Sequence, residues 1–79
     1  MIKMYGTTTC VDCYRSKQYL DTHDVAYEFI NIETEPEAIA LVERLNNGMR
    51  IVPTIIFDDG SMLAEPSNDE LAKKLLLNK

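Results

Sequence analysis

Ile2-Lys3-Met4-Tyr5-Gly6-Thr7-Thr8-Thr9-Cys10-Val11-Asp12-Cys13 is the stretch on which the reading of this chain turns. Ile2 to Tyr5 alternates apolar with other residues and stops at Gly6, the pattern of a short strand followed by a polar loop. Thr9 and Asp12 stand three positions apart, the spacing of a capping box, in which a hydroxyl and a carboxylate satisfy the free N–H groups of a helix's first turn. A helix beginning there and running to about Thr22 puts Cys10 at its first position and Cys13 one turn later on the same face.

That placement has chemical meaning. The attacking form of cysteine is the thiolate, and a helix start favours it through unsatisfied N–H groups and the positive end of the dipole. Cys10 is therefore the candidate nucleophile. Cys13 can attack a mixed disulfide formed at Cys10, close an intramolecular bond and release the second thiol, so it is the candidate resolving cysteine. Asp12 has two opposed readings. Its carboxylate, two residues from Cys10, opposes the thiolate and makes the dithiol more reducing, or it completes the cap with Thr9 and preserves the dipole.

Three alternative roles for the pair are weaker. A closed zinc site needs four N or S ligands, and beyond the cysteines the chain offers only His23, at the far end of the helix; no metal site is expected. A carrier holding metal on two thiolates, the alternative function, is expected in a βαββαβ order, which this chain does not follow. Two incidental core cysteines would not be expected after a strand, in a threonine loop, at a helix start.

Downstream, Ala26 to Ile32 alternates with period two and contains β-favouring residues. Thr34-Glu35-Pro36-Glu37 repeats the cap pattern with a proline in the first turn, and Ala38, Leu41, Val42 and Leu45 follow at helical spacing until Asn46-Asn47-Gly48. Ile51 to Phe57 is an extended segment with an embedded proline. Asp59-Gly60 is a hairpin turn into Met62-Leu63-Ala64. Ser67-Asn68-Asp69-Glu70 is a third capping box, opening a helix that carries Leu71, Ala72, Leu75 and Leu76. The predicted order is β-α-β-α-β-β-α: an α/β fold with a mixed four-stranded sheet and helices on both faces.

Composition narrows the function further. The 79 residues make one domain, residues 1–79, with 46% hydrophobic and 27% charged residues. Thirteen acidic against eight basic residues give a formal charge of −5, which with no basic patch disfavours nucleic acid and anionic membranes as partners. No charged leader with an apolar core and no membrane-length apolar run is visible, and two cysteines do not make a disulfide framework; a soluble, cytoplasmic monomer is expected.

Gly6-Thr7-Thr8-Thr9-Cys10-Val11-Asp12-Cys13, Arg50-Ile51-Val52-Pro53-Thr54, Asp59-Gly60-Ser61 and Pro66-Ser67-Asn68-Asp69-Glu70-Leu71 resemble the successive motifs of bacterial glutaredoxin-like proteins of the thioredoxin superfamily, the mycoredoxin type in particular. The resemblance implies a thioredoxin-like fold and a thiol-disulfide oxidoreductase that reduces protein disulfides, or mixed disulfides with a low-molecular-weight thiol such as glutathione or mycothiol. Such a thiol would be a co-substrate, with no tightly bound cofactor, and either it or a thioredoxin-reductase-type enzyme would be the reductant. The resemblance also implies a cis Val52-Pro53 peptide beside the active site, with the Val52 backbone pairing to a bound thiol's peptide. From the residues alone Pro53 reads as an ordinary trans edge proline.

Arg50 is the candidate anion-binding side chain beside that loop. Ser67 and Asn68 match the place where glutaredoxins hold a glutathione carboxylate, although as residues they read first as helix capping. The pair Val11-Asp12 departs from the Pro-Tyr of glutaredoxins and the Gly-Pro of thioredoxins, and the tryptophan of the ribonucleotide-reductase donors is absent. Plainer roles suit the remaining candidates: His23 as a solvated helix-end residue, Tyr5 and Tyr14 as packing aromatics, Arg15 and Lys17 as solvated helix charges.

Overall fold

The computed structural model describes residues 1–76. Seven elements follow in the order β1 (Ile2–Gly6), α1 (Val11–Thr22), β2 (Tyr27–Asn31), α2 (Pro36–Leu45), β3 (Thr54–Ile56), β4 (Met62–Ala64) and α3 (Asn68–Leu75). The strands form one sheet in the order β2-β1-β3-β4. β1 pairs parallel with β2, Ile2 opposite Tyr27 and Gly6 opposite Asn31, and antiparallel with β3, Met4 opposite Ile55. β3 and β4 are the hairpin predicted at Asp59-Gly60; Gly60 takes a φ of 88°, open to glycine without strain.

The period-two pattern of β1 sorts the core. Ile2 and Met4 point to one face, where they pack with Leu20 of α1, Leu71 of α3, Ile55 and Phe57. Tyr5 points to the other, against Ile32, Ala38 and Val42. Helices therefore cover both faces, α1 and α3 on one side and α2 on the other. Lys74 reinforces the docking of α3 by a 2.8 Å ion pair to Asp59 in the hairpin turn, which holds that carboxyl well below the usual carboxylate range.

The helix starts differ from expectation at two of three places. Ser67 and Glu70 form the predicted box: Glu70 N–H donates to Ser67 Oγ at 3.1 Å, and Ser67 N–H to Glu70 Oε1 at 2.8 Å. At α2 the cap position falls on Glu35, with no side-chain bond, and Pro36 is the first helical residue. The Thr34 hydroxyl instead bonds back to the Asn31 carbonyl. At α1 the cap is Cys10 rather than Thr9.

β3 is shorter than the stretch Ile51 to Phe57, because Ile51, Val52 and Pro53 leave the ladder and Phe57 belongs to the turn, where its N–H donates to the Ser61 carbonyl at 2.8 Å. Proline has no N–H to contribute, and the Val52-Pro53 peptide is cis, as the family resemblance implied and the residues alone did not. The segment is secured at its base instead. The buried Thr54 hydroxyl donates to the Ile51 carbonyl at 2.7 Å and accepts from Asn46 Nδ2 at 3.1 Å, while that amide also reaches the Val42 carbonyl at 2.8 Å. The last turn of α2 is thus tied to the loop that leads into β3.

Candidate active site

Both cysteines are free thiols at the C-terminal end of β1, and their environments are unequal. Cys10 is partly exposed, with its backbone extended at φ −89° and ψ 119° as a cap residue requires. Its sulfur does the capping: Cys13 N–H donates to Cys10 Sγ at 3.1 Å. The interaction expected from the Thr9 hydroxyl and the Asp12 carboxylate is thereby replaced. Asp12 instead pairs with Arg15 at 3.1 Å, and Arg15 also donates to the Pro66 carbonyl at 3.3 Å.

Cys13 is 0% exposed. Burial pushes its thiol up to about 12, the hydrogen bond and charge of Cys10 and the charge of Asp12 push the same way, and the Thr7 backbone N–H opposes them. The pair thus combines an accessible sulfur held by a backbone N–H with a sealed, protonated one.

A pH dependence follows. In the folded dithiol protein Cys13 keeps its proton between its ordinary 9.0 and about 12, an interval over which the unfolded chain has lost it. Stability is intact below pH 9 and falls as pH rises towards 12. Tyr27, raised to about 12 by burial and by Asp21, adds the same slope above pH 10. Thermal melts between pH 8.5 and 11, in roughly half-unit steps spanning these ranges, are expected to show the dithiol form losing stability faster than the disulfide form, which has no thiol to titrate. Equal slopes would remove Cys13 from this account.

Of the other residues singled out by sequence, Val52 meets Cys10, its carbonyl oxygen 3.9 Å from Cys10 Sγ, and Pro53 follows it across the cis peptide. Arg50 is exposed and engaged with Glu43 of α2 at 3.4 Å. Ser67 and Asn68 stand at the start of α3, where with Arg15 and Asp69 they line an open cavity of about 290 Å³. The hydroxyl and N–H of Ser67 are already used in the capping box. His23 closes α1, its ring against Tyr19 and its Nδ1 2.9 Å from the Tyr19 carbonyl. Tyr5 is buried in the core, whereas Tyr14 is 63% exposed beside Cys13. Lys17 sits over the Phe29 ring at 4.3 Å.

A sequence model of the glutaredoxin family matches residues 2–62, a span that holds both cysteines, the cis proline and all four strands up to the first residue of β4. The chain belongs to the glutaredoxin family. It is 40% identical over 75 residues to a Mycobacterium tuberculosis protein provisionally named a glutaredoxin, covering 95% of this chain and 89% of that one. It is 31% identical over 74 residues to mycoredoxin 1 of Corynebacterium glutamicum, covering 94% and 91%. The crystal structure of Methanosarcina acetivorans methanoredoxin superposes with a TM-score of 0.81 at 28% identity, over 94% of this chain and 82% of that one. The fold is the thioredoxin-like one of glutaredoxins, and the chain is a redox protein of the C-x-x-C type. Among the described residues no helix is long and apolar enough to cross a membrane.

Two parts of this glutaredoxin's site were not singled out in the sequence. Thr54 and Asn46 read as a strand residue and a helix stop, and only their mutual burial reveals the hydrogen bonds that fix the loop facing Cys10. Gly6 read as the end of a strand; what it leaves room for depends on a contact with α1 that has no local signature.

Proposed function

We propose that this protein is a dithiol oxidoreductase in which Cys10 attacks and Cys13 resolves. The observation that carries the reading is the inequality of the sulfurs: Cys10 is accessible and receives a backbone N–H at 3.1 Å, while Cys13 is sealed and protonated. The Cys10 thiolate bonds to one sulfur of a substrate disulfide and expels the other as a thiolate. Cys13 then gives up its proton and bonds to Cys10, expelling the second substrate sulfur. The substrate gains two electrons, and the protein is left with a Cys10–Cys13 disulfide.

The substrates proposed are protein disulfides and mixed disulfides of proteins with a low-molecular-weight thiol, a class that membership of the family and the likeness to mycoredoxin 1 both support. The thiol acts as a co-substrate. Val52 offers its backbone next to the reacting sulfur, and Arg50, Ser67 and Asn68 are the flanking groups proposed for the thiol's carboxylates. A low-molecular-weight thiol or a thioredoxin-reductase-type enzyme returns the disulfide to the dithiol, and the setting proposed is a monomer in the cytoplasm, where the glutathione and thioredoxin systems keep thiols reduced. The alternative, stoichiometric metal carriage, has less support: among the described residues no third His, Cys, Asp or Glu joins the sulfurs.

Turnover decides between them. Mixed disulfides of glutathione, mycothiol and bacillithiol, and thioredoxin reductase as an alternative reductant, are expected to identify at least one system that cycles the protein. Cys13→Ser is expected to accumulate a mixed disulfide visible by mass, since the second attack is removed while the first remains. No turnover with any of them, together with stoichiometric metal uptake, would overturn the proposal.

A further inference from the structure

Gly6 is a glycine for reasons of space. It is the last residue of β1, paired with Asn31, and its φ is not in the left-handed region where glycine is the natural choice. A Cβ built on it would stand 2.6 Å from Cys13 Sγ, 3.4 Å from Cys13 Cβ and 3.3 Å from the Phe29 ring, and none of these three nearest atoms belongs to Cys10. Carbon and sulfur do not approach to 2.6 Å without a bond. The sulfur of Cys13 therefore occupies the volume a side chain at position 6 would need.

We infer that Gly6 is a positioning residue for the resolving thiol: the missing side chain leaves a niche in β1 that holds Cys13 Sγ while the protein is in its dithiol form. The inference rests on the dithiol reading above and adds a determinant of the redox equilibrium to it. Oxidation removes two electrons and two protons from the thiols and joins the sulfurs by a bond. That bond brings them well inside van der Waals contact, and the inference assigns part of this approach to Cys13 Sγ, which leaves the strand as it closes on Cys10. The niche is filled in the reduced form and vacated, at least in part, in the oxidised one. A methyl group there competes with the sulfur only in the reduced form, and the staggered rotamers open to a helical cysteine leave it few other places. Gly6 thereby stabilises the dithiol, and stabilising the dithiol makes the couple less reducing.

The test is Gly6→Ala equilibrated in buffers of oxidised and reduced dithiothreitol, where oxidised reagent and protein dithiol exchange to protein disulfide and reduced reagent. This readout concerns the protein's own two cysteines, so it stands whether or not a substrate is ever turned over. The equilibrium is expected to shift about tenfold towards the protein disulfide, roughly 30 mV more negative. Denaturant melts supply the second arm. Gly6→Ala is expected to destabilise the dithiol form more than the disulfide form, and to cost little in a Cys13→Ala background, where the sulfur is gone. If Gly6→Ala alone does not fold but folds once Cys13→Ala is added, the niche is confirmed. An unchanged equilibrium, or equal losses in the dithiol, disulfide and Cys13→Ala proteins, would show that Gly6 serves only the packing of β1 and would overturn the inference.

Discussion

Cys10→Ser is expected to lower the rate of disulfide exchange by at least about a thousandfold, because a hydroxyl supplies no thiolate near neutral pH and no other group can replace the nucleophile. The structure makes this a one-sided result. Cys13 is 0% exposed, and its raised thiol leaves almost no thiolate at pH 7, so it cannot take over the first attack. The geometry at Cys10 should survive the change, since a serine hydroxyl caps a helix at least as well as a sulfur. Loss of activity would then come with an intact fold, checked by circular dichroism and thermal midpoint. A Cys10→Ser protein that keeps its rate beside an inactive Cys13→Ser protein would reverse the assignment.

The second large effect concerns stability. Leu71 is 0% exposed and carries α3 into the core shared by Met4, Leu20 and Ile55. Leu71→Ala removes that anchor and leaves a cavity, at a cost of about 2–5 kcal/mol. A chain of this length has roughly 4–12 kcal/mol in all, so the variant should be close to unfolding, with a much lower urea midpoint. Leu76→Ala, only a few residues on, is the control. Leu76 is 84% exposed, and a change within about 0.5 kcal/mol is expected there. A small effect at Leu71 would mean that the ion pair between Lys74 and Asp59, rather than apolar packing, holds α3 in place.

Most of the fold was legible because its elements announce themselves locally. Alternation in Ile2–Tyr5 and Ala26–Ile32, the turn at Asp59-Gly60 and the box at Ser67–Glu70 each specify a local structure, and the structure has all four. The misread details involve competition between neighbours. Thr9 has the right residue type for a cap, but Cys10, one position on, also has a side-chain acceptor and holds the cap position. Thr34 loses its predicted role differently, its hydroxyl bonding back to Asn31 while the cap position passes to Glu35 with no side-chain bond. Where two adjacent residues can each serve, the pattern sets the helix start only to within one position.

The site divides along the same line. The two cysteines, three apart at a helix start, state a chemistry in the sequence itself. The cis peptide before Pro53 came only through the resemblance, since nothing in Val52-Pro53 distinguishes it from an ordinary edge proline. Gly6, Asn46 and Thr54 act through contacts between segments distant in sequence, and such contacts leave no trace in spacing. Arg50 stands beside the right motif in the sequence, but its exposed pair with Glu43 of α2 joins segments that spacing alone does not connect.

The cap on α1 has one further consequence. In most helices the group that closes the first turn is chemically inert, but here it is the sulfur of Cys10, accepting from the Cys13 N–H at 3.1 Å. A thiolate accepts such a bond well, while a neutral sulfur does so weakly. In the dithiol cycle proposed above, that clasp at the head of the helix is weakened when Cys10 enters a disulfide and restored when its thiolate returns.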